Sequence, residues 1–166
     1  MSRDLKAELK KAISKHYSTL KLQFPMEEFY GYSLYSSDDI SSLGPVANRL
    51  SVIEEKTSDS DYFYYKYSAD EWSDWDDFEL FEEVNSIIAQ FYNEKKDCFD
   101  EFRDYILNTS LQVMKELEQE GLFGLKNDER FLVIWISDSS DEIINISAKQ
   151  LNTQKVYKEF ASEFIE

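Results

Sequence analysis

The stretch RFLVIWIS, residues 130–137, decides the fold. It is a continuous apolar run between polar residues, and such a run is typical of a β-strand that is covered on both faces. We therefore expect it to be the core strand of a sheet and to lie near the middle of that sheet.

Two aromatic segments predict further strands. Residues 27–37, EEFYGYSLYSS, alternate Tyr30, Tyr32 and Leu34 with a second set of side chains, which is the period of a strand. Residues 61–68, DYFYYKYS, predict a second strand for the same reason. Gly44-Pro45 interrupts the chain between these two segments, and a short helix is expected from about Val46. Farther along the chain, residues 141–147, DEIINIS, are expected to form a short strand or a turn.

The helices are predicted by apolar residues that recur every three or four positions. Four segments carry this pattern: residues 3–19, 78–91, 99–117 and 153–165. Asp77 and Asp97 are the expected N-caps of the middle two, and Gly121 an expected C-cap. The sequence thus predicts one α+β domain over residues 1–166, with a small, mainly antiparallel sheet of about three to five strands and four or five helices packed on it.

Composition favours a cytoplasmic globular protein. The 166 residues are 42% hydrophobic and include 12 phenylalanines, 11 tyrosines and 3 tryptophans, whereas disordered acidic chains contain few aromatics. Cys98 is the single cysteine, so no disulfide can form within the chain. The N-terminal residues lack the apolar core of a signal peptide, and no run of about 18 apolar residues is present to span a bilayer.

Negative charge is the strongest global feature. The formal net charge is −16, and residues 54–104 contain 17 acidic and 5 basic residues. At the centre of this region lies ADEWSDWDDFELFEE, residues 69–83, with eight carboxylates, Trp72 and Trp75. Such a field repels nucleic acid and anionic membranes and attracts a basic protein partner.

The chain offers little for catalysis, metal binding or a cofactor. His16 lies on the apolar side of the first predicted helix, where a packing role is expected. Cys98 is flanked by acidic residues that oppose a thiolate, and the four glycines form no phosphate-binding loop. DSD (59–61) and DWD (74–76) begin like a calcium loop but lack its later ligand and glycine. We therefore expect no catalytic residue, no metal site and no cofactor.

The acidic stretch has two interpretations. Carboxylates near a helix start are favoured in any case, so a solvated surface accounts for part of the pattern. The two tryptophans are explained less well by solvation, because such rings either anchor a loop in the core or contact a partner. We expect at least one of them to be a core anchor.

The order of these features resembles the bacterial domain-of-unknown-function 4303 family over nearly the full length. The segments that carry the resemblance most specifically are Glu71-Trp72, EGLFG (residues 120–124) and Trp135-Ile136-Ser137-Asp138. The resemblance implies no established enzymatic activity. Similar small acidic proteins occur as immunity proteins of bacterial toxin systems, so it also implies a role as a toxin inhibitor.

Two functional hypotheses follow. The first is an immunity protein whose acidic face binds and neutralises a basic toxin domain, such as a nuclease, since carboxylates can imitate the phosphates such an enzyme binds. Its expected contact residues are Asp70, Glu71, Asp74, Trp75, Asp76 and Asp77, with Tyr62, Tyr64 and Tyr65 beside them. The alternative is an uncharacterised enzyme or small-ligand-binding protein with a pocket formed by Trp72, Asp138 and Asp141.

Overall fold

A computed structural model describes residues 4–75, 79–94 and 96–165 of the chain. Within these residues the helices are α1 (Leu5–Gln23), α2 (Leu50–Glu54), α3 (Tyr62–Tyr67), α4 (Glu82–Glu94), α5 (Phe99–Gln119), α6 (Glu142–Leu151) and α7 (Gln154–Phe164). The strands are β1 (Phe29–Ser36), β2 (Gly44–Arg49), β3 (Asp74–Trp75) and β4 (Phe131–Ile136), and short 3₁₀ turns form at Ala69–Glu71, Glu79–Phe81 and Lys96–Cys98.

The four strands form one mixed sheet in the order β3-β2-β1-β4. The pairs β1/β2 and β2/β3 are antiparallel, and β1/β4 is parallel. The α+β class and the number of strands are therefore confirmed. The described residues contain seven α-helices, more than the four or five expected.

The position predicted for β4 is wrong, because the strand lies at an edge of the sheet and not near its middle. All six of its residues are nevertheless buried. Helix α6 covers the open edge: Ser147 Oγ accepts a hydrogen bond from the Ile134 amide at 2.9 Å, and Asn152 accepts one from the Leu132 amide at 2.8 Å. A helix thus takes the place of the missing neighbouring strand.

Both faces of the sheet are covered. On one face Tyr32 contacts Tyr17 of α1 and Phe123, with ring centroids 5.7 and 5.2 Å apart. On the other face Trp72 packs edge-on against Phe131 at 6.2 Å. The buried apolar residues of both faces belong to one core cluster.

Three local predictions are corrected by the structure. Residues 61–68 were expected to form a strand but contain helix α3, in which Tyr67 packs against Phe131 at 4.8 Å. Val46 lies in strand β2 and not in a helix, and the short helix α2 follows it. Residues 141–147 belong to the start of α6, because Asp141 caps the helix by accepting a hydrogen bond from the Ile143 amide at 2.9 Å.

The main helices occur where the periodicity predicted them, but not all of their predicted capping residues occupy the cap positions. Asp77 and Phe78 lie outside the described residues. Cys98, not Asp97, occupies the N-cap position of α5. Gly121 follows the end of α5 with a φ of 87°, a left-handed conformation that glycine adopts without strain. No helix in the described ranges is both long enough and apolar enough to cross a membrane.

Candidate functional site

The candidate site lies at the carboxyl ends of β1 and β4. These strands are parallel, and Ser36 pairs with Ile136 at their ends, where the Ser137 amide donates to the Ser36 carbonyl at 2.9 Å. The loops that follow the two strands therefore emerge side by side. The segment that contains Trp72 and Trp75 contacts the ends of both strands, through Tyr35 and Trp135.

We define the acidic edge as residues 37–39, 69–75 and 137–142. These three segments contain eight carboxylates and no lysine or arginine. They are distant in sequence. Asp70 holds the 69–75 segment against Tyr35 and Trp135, near the ends of β1 and β4, and Arg103 joins the 37–39 and 137–142 segments. The sequence alone indicated the middle segment and did not show that the other two would join it.

Asp70 is the residue that ties the acidic edge to the sheet. Its carboxylate accepts one hydrogen bond from the Tyr35 hydroxyl at 2.6 Å and another from the Trp135 indole N–H at 3.0 Å. Partial burial, together with the hydrogen bond to Asp70, raises the pKa of Tyr35 above its usual value. Asp70 is nevertheless exposed to solvent. A partner can therefore reach this residue, whose carboxylate is held in place by the two hydrogen bonds.

The two tryptophans of the acidic stretch have different roles. Trp72 is only 2% exposed, and its indole N–H donates to the Lys66 carbonyl at 3.1 Å. Trp75 is 42% exposed, and its indole N–H donates to the Trp72 carbonyl at 2.7 Å. Its ring meets Tyr35 edge-on, with centroids 4.7 Å apart. The expectation that at least one tryptophan anchors the core is confirmed for Trp72. Trp75 presents an exposed aromatic surface whose orientation is fixed by its hydrogen bond and by Tyr35.

The neighbouring acidic residues are partly engaged. Glu71 accepts a hydrogen bond from the Tyr64 hydroxyl at 3.1 Å. The Asp74 side chain is 9% exposed and forms an ion pair with Arg49 at 3.0 Å. Asp74 therefore contributes less to the outward field than its position in the sequence suggested. Asp76 and Asp77, which were also predicted to contact a partner, lie outside the described residues.

The three predicted tyrosines are not brought together at the acidic edge. Tyr64 stacks on Phe164 with ring centroids 6.0 Å apart, which places it beside Trp135 because Phe164 also contacts that indole. The Tyr65 ring contacts the Lys56 ammonium at 4.3 Å. Tyr62 contacts the Lys66 ammonium at 5.6 Å, and Lys66 pairs with Glu129, just before the start of β4. Tyr62 thus lies toward the opposite end of the sheet.

Arg103 braces the acidic edge and was not found from the sequence. Its guanidinium donates to the Asp141 carboxylate and to the Asp38 carbonyl, each at 2.5 Å. It thereby joins α5 to the loops after β1 and β4. In the loop after β1, hydrogen bonds from Ser37 and Ser41 lower the pKa of Asp39, so this carboxylate stays charged in mildly acidic solution.

Trp72, Asp138 and Asp141 are the residues of the predicted pocket. A cleft of about 210 Å³ lies between α6 and α7, and its lining includes Asp141 and Trp135 but not Trp72 or Asp138. Asp138 adopts a φ of 53° in the turn that follows β4. A second cavity, of about 590 Å³, lies at the opposite end of the β1/β4 pair, beside Tyr17, Phe29 and Arg130.

The single histidine packs in the core. His16 is 3% exposed, and its Nδ1 lies 2.9 Å from the Tyr32 hydroxyl oxygen, with which it shares a hydrogen bond. Burial lowers the pKa of His16 to about 4. Among the described residues, no group of three or more histidines, cysteines and carboxylates is arranged to hold a metal ion.

The chain belongs to a family defined by one domain of unknown function. The family model described as "Domain of unknown function (DUF4303)" matches residues 9–153, a span that includes the sheet, the acidic edge, most of α1 and all of helices α2 to α6. No curated protein and no solved structure matches the chain.

Proposed function

We propose that this protein is an acidic interaction protein of the immunity type, which binds a basic toxin domain through the acidic edge and neutralises it. The observation that carries the proposal is that three separate segments, with eight carboxylates and no basic residue among them, are held at the carboxyl ends of β1 and β4, where the half-exposed Trp75 contacts Tyr35. Carboxylates steer a cationic partner toward the site, and an exposed aromatic ring supplies contact area once it arrives.

The geometry favours a partner surface over a simple solvated surface. Asp70 is held by Tyr35 and Trp135, and Trp75 by the Trp72 carbonyl and the Tyr35 ring. Side chains that are already ordered lose little conformational entropy on binding. A solvated acidic loop gains nothing from such ordering, whereas an interface does.

A nuclease domain is the target class that we propose. An enzyme that cleaves nucleic acid is basic where it binds phosphate, and carboxylates spaced along the acidic edge compete for the same basic residues. Steered association reaches about 10⁸–10⁹ M⁻¹s⁻¹ at low salt, a rate suited to an inhibitor that must act before its target does damage.

The test is affinity capture from the native host with the tagged protein, followed by purification of the captured chain and a binding titration. The edge variant combines Glu71→Gln, Asp138→Asn and Glu142→Gln. The control variant combines Glu28→Gln, Glu55→Gln and Asp128→Asn, which removes the same charge near the opposite end of β1, β2 and β4. We expect a basic captured protein that binds the control variant like the unmodified chain and binds the edge variant at least about tenfold more weakly at low salt.

Salt and enzymatic activity complete the test. Binding of the unmodified chain is expected to weaken at about 0.5 M salt, where exposed charges are screened, and the captured domain is expected to lose its toxic activity in the complex. Equal binding by the edge and control variants would contradict the assignment of the surface. Failure to capture a basic protein at either salt concentration would contradict the proposed function itself.

A further inference from the structure

The cleft between the first turn of α6 and the last turns of α7 is a binding feature distinct from the surface of Trp75. Its volume is about 210 Å³, below the roughly 300–1,000 Å³ typical of small-molecule sites. A space of this size fits one side chain better than a cofactor. It opens beside the acidic edge, because Ser139, Ser140, Asp141 and Glu142 belong both to its lining and to that edge.

The inner walls of the cleft are aromatic and fixed. Trp135 is 7% exposed, and its indole N–H is held by Asp70 at 3.0 Å. The Phe164 ring meets Trp135 edge-on at 5.5 Å and stacks on Phe160 at 5.2 Å. Aromatic rings held in this way attract a cation that comes close to them.

The rim of the cleft carries two carboxylates, Asp141 and Glu142, and only Asp141 is paired with a described residue. The Asp141 carboxylate is engaged by Arg103 at 2.5 Å and by the Ile143 amide at 2.9 Å. The N-terminus of α6 would by itself favour an anion, because its first backbone amides are free to donate. Asp141 already supplies that negative charge as the N-cap of the helix. Glu142 is exposed, and its carboxylate forms no hydrogen bond or ion pair with the described residues. A cation that enters the cleft therefore finds a carboxylate that no described residue engages.

We propose that this cleft takes one arginine side chain presented by the basic protein partner. The inference rests on the proposed function, because it names the group by which the partner of the acidic edge is recognised. Arginine fits the surroundings better than lysine: its guanidinium is planar, less strongly hydrated, stacks on aromatic rings and donates in a fixed geometry to carboxylates. The Trp135 and Phe164 rings receive the side chain, and Glu142 receives its charge.

The direct test uses a minimal probe and the indole N–H signals of the three tryptophans. The ¹⁵N-labelled full chain is titrated with N-acetyl-arginine N-methylamide, and with the corresponding citrulline and lysine compounds. Citrulline has nearly the shape of arginine but no charge. We expect the arginine compound to shift the Trp135 signal saturably, with a dissociation constant in the millimolar range, as expected of a single contact. The citrulline compound should leave the signal in place, and the lysine compound should bind more weakly.

Two variants locate the binding. Ser140→Phe places a ring at the mouth of the cleft and should abolish the shift, whereas the control Ser162→Phe, at an exposed position of α7, should preserve it. Glu142→Gln should weaken binding about two- to fivefold, as expected for an exposed charge pair. An unshifted Trp135 signal up to the solubility limit of the probe, an equal shift with citrulline, or a shift that survives Ser140→Phe would overturn the inference.

The same variants separate this inference from the proposed function. If a captured basic partner binds the edge variant weakly but binds Ser140→Phe like the unmodified chain, the partner surface stands and the arginine cleft is wrong. If the probe binds as expected but no basic partner is captured, the cleft stands as a guanidinium site and the proposed function is wrong.

Discussion

Asn152 pairs with Leu132 as the residue of a neighbouring strand would. The Asn152 side chain accepts a hydrogen bond from the Leu132 amide at 2.8 Å and donates one to the Leu132 carbonyl at 2.7 Å. Its amide group also donates to the Ala148 carbonyl at 2.9 Å. One buried side chain, 6% exposed, thus completes the backbone hydrogen bonding of an edge strand and joins it to the end of α6.

Asn152→Ala is therefore expected to destabilise the protein. It leaves the Leu132 amide and carbonyl unsatisfied in a buried site, at a cost of about 1–3 kcal/mol for each group without a partner. We expect a loss of about 3 kcal/mol in the free energy of unfolding, measured by urea denaturation. Asn85 offers a matched control because it makes the same pair of bonds to Leu43 at 2.7 and 3.0 Å at a partly exposed position. Asn85→Ala should cost less, since water can replace the lost bonds, and equal losses would contradict this explanation.

The buried His16 predicts how stability changes in acid. Its pKa is about 4 in the folded protein against 6.5 for an ordinary histidine, so the unfolded chain binds a proton first as the pH falls. Well above pH 6.5 the residue contributes no pH dependence. Between pH 6.5 and 4 the folded state loses stability relative to the unfolded state, by about 3 kcal/mol in total. His16→Asn should flatten this part of the curve.

A direct measurement is available because the chain has one histidine. The ring protons of His16 should titrate in the folded protein near pH 4 by NMR. A midpoint near 6.5 in the folded protein would show that the ring is solvated and would contradict its placement against Tyr32.

Gly31 predicts a second stability effect, this time of steric origin. A Cβ atom added at this position would lie 2.9 Å from two carbon atoms of the Trp72 ring, which is packed between the sheet and α3 and cannot move freely. Gly31→Ala should therefore cost about 1–3 kcal/mol of unfolding free energy, as overpacking does. Combining it with Trp72→Leu should cost less than the sum of the two single changes, because the smaller side chain makes room for the methyl group. Additive losses in urea denaturation would contradict the contact.

The elements that sequence reasoning placed well are those whose pattern depends on one chain segment alone. Helices α1 and α5 each bury one apolar stripe, and that stripe is visible in the sequence. The edge position of β4 could not be predicted, because an apolar run looks the same whether a strand or a helix such as α6 covers it. The segment of α3 was misassigned since tyrosines suit strands and buried helix faces alike, and packing against Phe131 decides between them.

The candidate site was partly predictable for a related reason. The acidic stretch around Trp72 and Trp75 is local and was recognised. The contribution of residues 37–39 and 137–142 depends on the parallel pairing of β1 with β4, a contact between segments about a hundred residues apart. The role of Arg103 could not be predicted, because nothing near it in the sequence indicates that it joins Asp38 to Asp141.

Asp70 allows the structural and binding roles of the acidic edge to be separated. Asp70→Ala removes the acceptor for both Tyr35 and Trp135, so we expect faster exchange of the Trp135 indole proton with solvent and a loss of about 1 kcal/mol in stability. Asp70→Asn removes the charge but keeps one carbonyl oxygen as an acceptor, so the indole proton should remain more protected than in Asp70→Ala. Both variants should slow association with a basic partner at low salt, since the steering charge is lost in each. If Asp70→Asn associates like the unmodified chain while Asp70→Ala does not, the carboxylate orders the surface without attracting the partner, and the attraction must come from the other carboxylates of the acidic edge.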